Sequence, residues 1–146
     1  MVIAGEWLRC ADGQTRPIVL AQVLGAGGQP TDVRFLIDSG ADATVFSAAV
    51  LEELHLSELP PPPGLALRGI SGDSSFVVIE TVIELKRNDG GPARIRGSFA
   101  AFTDSAATDL SVLGRDVLDN FDVILSRPRN EVLALAGNHR YAIQAV

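Results

Sequence analysis

The chain has 146 residues, 47% of them hydrophobic, and carries 18 acidic against 12 basic residues for a net charge of −6. That length and apolar content suit one domain spanning residues 1–146 and exclude a disordered chain. The negative balance and the scatter of the arginines argue against a nucleic-acid partner, and no apolar run approaches the ~18 residues that a membrane helix needs.

Short apolar runs punctuated by Gly, Pro and Asn predict a strand-rich fold. Residues 2–9 read as one strand, followed by a turn at Asp12-Gly13, and residues 16–24 read as the next strand. Gly25–Pro30 is a turn. Val33, Phe35 and Ile37 then alternate on one face of a strand that leads straight into Asp38. Ser47 is placed to cap a helix over 48–55, with Val50, Leu51 and Leu54 on one side. Pro60–Pro63 reads as an extended surface linker. Residues 65–87 form two strands about Gly69-Ile70-Ser71-Gly72-Asp73. Asn88-Asp89-Gly90-Gly91 is a hairpin turn, and residues 93–102 return from it. Thr103–Asp109 is a polar loop, and Val117, Leu118 and Phe121 have helical spacing. Strands are expected over 122–126, 131–136 and 141–146.

Cys10 has no intrachain partner for a disulfide, and Met1–Glu6 lacks the basic start and apolar stretch of a signal peptide. Both features point to a reducing, cytoplasmic setting. Cys10 itself reads as a small half-buried apolar residue and Trp7 as a packing residue under the N-terminal hairpin. His55 and His139 lack ligand spacing, so no metal is expected. Gly25-Ala26-Gly27-Gly28 is no dinucleotide loop, because Pro30 stands where the pattern needs Gly. Asp73 likewise breaks the resemblance of Gly69–Asp73 to a nucleophile elbow.

Asp38 carries the chemistry. A carboxylate at the end of an apolar strand is costly to hold unless hydrogen bonds stabilise it. Ser39 offers a hydroxyl and Gly40 offers permissive backbone angles, so the turn presents Asp38 rather than hiding it. A second segment, Leu110-Ser111-Val112-Leu113-Gly114-Arg115-Asp116-Val117-Leu118, is an apolar run closed by a glycine that opens a helix. In order and spacing, the two segments resemble the Asp-Thr/Ser-Gly-Ala loop and the Gly-Arg-Asn/Asp helix of the retropepsins, over residues 16–135.

This resemblance implies an all-β retropepsin-like acid protease barrel with one or two short helices, acting as an aspartic endopeptidase without a cofactor. Such hydrolysis needs two carboxylates about one water, sharing a proton. The chain supplies one such loop. Asp104-Ser105-Ala106 has Ala where the turn needs Gly, and no apolar strand precedes it. The implied partners are therefore a second copy of the chain, with Asp38 of each protomer meeting at a two-fold axis, and a peptide or protein substrate. Ser39 resembles the residue that bonds across the dyad, and Gly40 the glycine whose carbonyl meets bound peptide, with Ala41 beside it. Asp42 resembles the acid that pairs with the helix arginine, Arg115 after Gly114, and helps to bind the substrate backbone. The Asp42–Arg115 pair is expected to be partly buried, and it also reads as a purely structural ion pair. Ala43 stands where some viral members carry a second acid, which implies a less polar subsite. Gly69, Ile70, Ser71 and Gly72 resemble the tip of a mobile flap.

Both ends of the chain extend past the resemblance to the viral enzymes. The Ser47–His55 helix and the C-terminal hairpin look closer to the cellular retropepsin-like domains, including those of DNA-damage-inducible ubiquitin-shuttle proteins and bacterial homologues. Two other readings stay open: a module that holds an extended peptide as an added strand without cutting it, and a structural dimerisation domain.

Overall fold

The first strand changes sheets after three residues, and a glycine is the reason. In the computed structural model, which describes residues 1–64, 67–69, 72–107 and 109–137, the strands are β1 (Val2–Ala4), β2 (Glu6–Arg9), β3 (Thr15–Leu24), β4 (Pro30–Ile37), β5 (Val45–Phe46), β6 (Leu67–Gly69), β7 (Gly72–Ser74), β8 (Phe76–Lys86), β9 (Pro92–Phe102), β10 (Ser111–Leu113), β11 (Asp122–Ser126) and β12 (Glu131–Leu135). Helix α1 (Ala48–Leu54) follows β5, and α2 (Arg115–Leu118) follows β10. The single strand expected over 2–9 is thus two. β1 pairs with β12, whereas β2 pairs with β3. At the break, a Cβ on Gly5 would lie 2.2 Å from the Ile18 carbonyl oxygen and 2.8 Å from Val132 Cγ1. Only a residue without a side chain lets the backbone pass between the two sheets there.

Among the described residues, β2-β3-β4-β10-β5-β9-β8 form one sheet, and a further β3–β8 pairing closes six of these strands into a barrel. Closure rests on Ala21↔Leu85, Gln22↔Glu84 and Val23↔Ile83. Where β3 leaves the ladder, the Thr81 hydroxyl donates to the Leu24 carbonyl at 2.6 Å. The inward face is built by alternation: Val33, Phe35 and Ile37 are buried on β4 while Asp32 and Arg34 are exposed. Phe46 meets Phe35 and Phe99 edge-to-face, with ring centroids 5.4 and 5.8 Å apart.

Helix α1 starts as the sequence predicts. Ser47 Oγ accepts the Val50 N–H at 3.4 Å, and Leu51 and Leu54 are buried while Val50 is half-buried. The helix ends at His55, exposed and in the left-handed region at φ 51°. The hairpin turn at 88–91 is also observed, with the Arg87 N–H on the Gly91 carbonyl at 2.8 Å and Gly90 at φ 89°. The sheet β1-β12-β11 packs beside the barrel. Trp7 locks it there: its Nε1–H is shared between the Ser126 and Glu131 carbonyls at 3.2 and 3.1 Å, and Arg127 lies 4.9 Å over its ring. Cys10 is half-buried. The strand expected over 141–146, and His139, lie outside the described residues. No helix among the described residues is long and apolar enough to cross a membrane.

Candidate active site

Parallel pairing brings two distant loops to one end of the barrel. β4 and β10 run side by side with Phe35↔Ser111, Leu36↔Val112 and Ile37↔Leu113 in register. Strands that run together end together, so Asp38 and Gly114 leave the sheet as neighbours. The Asp38 N–H donates to the Leu113 carbonyl at 3.2 Å, the last bond of this pairing. The chain then turns: the Ala41 N–H reaches the Asp38 carbonyl at 3.1 Å, and the Gly40 N–H donates to Asp38 Oδ1 at 2.9 Å. That charge-assisted bond holds one carboxylate oxygen while the half-buried side chain keeps access to solvent.

Gly40 does not use the backbone freedom expected of it, since its φ is not in the left-handed region. A Cβ there would stand 3.2 Å from Asp38 Oδ1, tight enough that the carboxylate would have to give by a few tenths of an ångström. Ser39 is exposed beside it and Ala41 half-buried. The same side-chain-to-amide bond occurs at Asp12, Asp89 and Asp104, the last to the Ala106 N–H at 2.9 Å. The turn by itself is therefore unspecific. Asp38 differs because a buried strand delivers it and a second chain segment grips its loop.

That grip has an inner and an outer part. On the backbone, the Arg115 N–H donates to the Ala41 carbonyl at 2.8 Å and the Asp116 N–H to the Asp42 carbonyl at 3.2 Å. Gly114 fits against Ala43 so closely that a Cβ would lie 2.4 Å from the Ala43 carbonyl carbon. On the inner side, Asp116 Oδ1 accepts from Thr44 N at 2.9 Å and from Thr44 Oγ1 at 2.7 Å, while the Gly114 N–H donates to Thr44 Oγ1 at 3.0 Å. On the outer side, Arg115 pairs with Asp42, and the carboxylate holds the guanidinium pKa above its ordinary value. The expected burial of this pair is not what forms. The side chains of Arg115 and Asp42 are 52% and 85% exposed, because the loop turns the Asp42 side chain outward.

Thr44 and Asp116 lie inside the two matching segments, but no role was expected of either. Thr44 stands between the acidic loop and the apolar Val45-Phe46, and Asp116 follows Arg115 at the exposed start of α2. The signals were a hydroxyl one step before a buried run and an acid one step after the helix arginine. Of the expected flap, the described residues show β6 paired with β7 as Leu67↔Ser74, Arg68↔Asp73 and Gly69↔Gly72. Ile70 and Ser71, the tip itself, lie outside the described residues.

A sequence family described as aspartyl protease matches residues 21–117. In three dimensions the chain is similar to EIAV protease complexed with the inhibitor HBY-793, with a TM-score of 0.50 at 20% identity, over 75% of this chain and 91% of that one. It is also similar to a retropepsin-like aspartic protease from Rickettsia conorii, with a TM-score of 0.50 at 13% identity, over 92% of this chain and 87% of that one. A search among curated proteins finds no match. At such identities the two structures speak for the fold, and the all-β retropepsin-like barrel expected from the sequence is the fold observed.

Proposed function

The chain belongs to the aspartyl protease family, and from that premise we propose that it is an aspartic endopeptidase whose working unit is a homodimer, with Asp38 of each protomer forming the catalytic dyad. The observation that carries this reading is the state of Asp38. Its Oδ1 is held by the Gly40 N–H at 2.9 Å, and the carboxylate stands accessible at the end of the barrel. In the dimer, one carboxylate takes a proton from the water that attacks the scissile carbonyl carbon. The other, protonated, gives its hydrogen bond to the carbonyl oxygen. When the tetrahedral intermediate collapses, the C–N bond breaks and the departing amine takes a proton from the dyad. Among the described residues, the other acidic turn weighed from the sequence, Asp104, follows the exposed Thr103 in a loop rather than ending a buried strand. That supports pairing between chains over pairing within one.

Ser39 and Asp42 face solvent next to Asp38, where bound peptide would lie. In this reading Gly40, Ala41 and Asp42 contact the substrate backbone, and the 69–72 hairpin covers it. The single cysteine favours a reducing compartment.

The experiment is peptide-library cleavage by wild type and by Asp38→Asn, which keeps the shape but removes the ionisable group. Turnover should vanish in the variant, and in wild type the specific activity should fall on dilution through the dimer dissociation constant. Equal cleavage by the variant overturns the dyad. Full activity of a strictly monomeric species overturns the dimer. Peptide that binds both proteins equally and is cut by neither leaves the silent peptide-binding module in its place.

A further inference from the structure

One side chain joins the two ends of the grip around Asp38 from within. Thr44 is 1% exposed, and its hydroxyl has a single proton to give. The Gly114 N–H occupies a lone pair of that oxygen at 3.0 Å, so the proton points to Asp116 Oδ1 at 2.7 Å. The same Oδ1 receives the Thr44 N–H at 2.9 Å and the Val117 N–H at 3.0 Å. The start of β5 and the start of α2 thus meet on one hydroxyl and one carboxylate oxygen. Gly114 is bonded covalently to Leu113, which accepts the Asp38 N–H at 3.2 Å, and to Arg115, whose N–H holds the Ala41 carbonyl at 2.8 Å. A displacement of Gly114 therefore moves both backbone bonds that frame the Asp38 turn.

We infer that Thr44 and Asp116 are positioning residues for Asp38: without touching substrate, they fix where its carboxylate stands against the scissile carbonyl. The inference rests on the protease reading above for its kinetic consequence, and on the hydrogen bonds alone for its structural one. What the network requires is oxygen geometry rather than charge. Serine at position 44 keeps the hydroxyl, and the amide oxygen of asparagine at position 116 accepts the same three donors. Valine at 44 has the shape of threonine but leaves the Gly114 N–H without an acceptor.

The test pairs kinetics with amide hydrogen exchange in the full chain. In Thr44→Val, kcat should fall by ~10–100-fold with KM for a cleaved peptide within about twofold, the signature of a misplaced reacting group. Thr44→Ser and Asp116→Asn should restore kcat. Exchange at the Asp38 and Arg115 amides should quicken by about tenfold or more in Thr44→Val while the β8–β9 amides keep their wild-type rates, which separates a local effect from general loss of stability. Asp116→Ala, which leaves the core intact, is read in the same two ways if Thr44→Val does not fold. A kcat unchanged in both disruptive variants, or a loss that serine and asparagine fail to restore, overturns the inference. So does an Asp38 amide that exchanges at the wild-type rate. If wild type cuts no peptide, the protease reading fails by itself, and the exchange rates still decide the positioning role.

Discussion

The loop 38–44 and the start of α2 touch on two sides, and the two sides are built from different chemistry. Inside, Thr44 is 1% exposed and Gly114 is buried against the Ala43 backbone, so the Thr44 hydroxyl and the Gly114 N–H need protein partners that water cannot replace, even though their acceptor network ends on the exposed Asp116. Outside, Arg115 and Asp42 form an ion pair with side chains 52% and 85% exposed, where water solvates either charge when the other leaves. Formal charge is thus a poor guide to which contact holds the site. The neutral hydroxyl, with one proton and no charge, sits where replacement is costly. The Arg–Asp pair, conspicuous in the sequence, sits where replacement is cheap.

The largest effect expected from this comparison is at Gly114. In Gly114→Ala the new methyl meets the Ala43 backbone rather than a flexible side-chain end, so the loop or the helix must move. A loss of about 2–3 kcal/mol is expected from such overpacking, measured by urea unfolding. A variant as stable as wild type would break the claim that the inner contact is tight. Arg115→Ala sharpens the comparison from the other side. Its thermal midpoint should lie within error of wild type, because the pair it removes faces water. A large drop in that melt would place the ion pair among the contacts that hold the loop.

The smallest effect concerns a second exposed pair, Asp12–Arg16, whose charged oxygens and nitrogens meet at 2.6 and 2.9 Å. The Arg16 hydrogen bonds, helped by the Gln14 N–H, lower the Asp12 pKa from 3.8 to about 2. A carboxyl whose folded-state pKa lies below its unfolded one binds protons more readily when unfolded. Its contribution is complete above 3.8, fades as pH falls, and is gone below about 2. The stability difference between wild type and Asp12→Asn should be small and constant near neutral pH and should shrink only within that acid window. A difference that persists unchanged below that window would refute the assignment. The pair is solvent-exposed, so only the window, not a sizeable energy, is expected.

The strands over 16–24, 33–37, 93–102, 122–126 and 131–135, the Ser47 cap, the 88–91 turn and the placement of Asp38 at a strand end were legible in the sequence, because each depends on residues within a few positions of one another. Alternation in 33–37 tells which face is buried, and a serine just ahead of a helical apolar pattern is a local capping signal. The break at Gly5 was not legible. A glycine inside an apolar run reads as a tolerated strand residue until Ile18 and Val132 close on it from two sheets. At Gly40 the expected use of backbone freedom is not observed, and the nearest restraint is the Asp38 carboxylate, 3.2 Å from where a Cβ would stand.

What the sequence determined by itself is the local grammar: β-rich elements, one capped helix, and a carboxylate turn after a buried strand. Only the tertiary structure decided which way the loop residues face. Asp42 and Thr44 are two positions apart, yet one points to solvent and the other to the core. The partner that receives Thr44, Asp116, lies 72 residues away. Parallel pairing of β4 with β10 brings the two together, and neither segment alone contains that register. Side-chain burial in a loop follows from what packs across from it, and that partner comes from another strand.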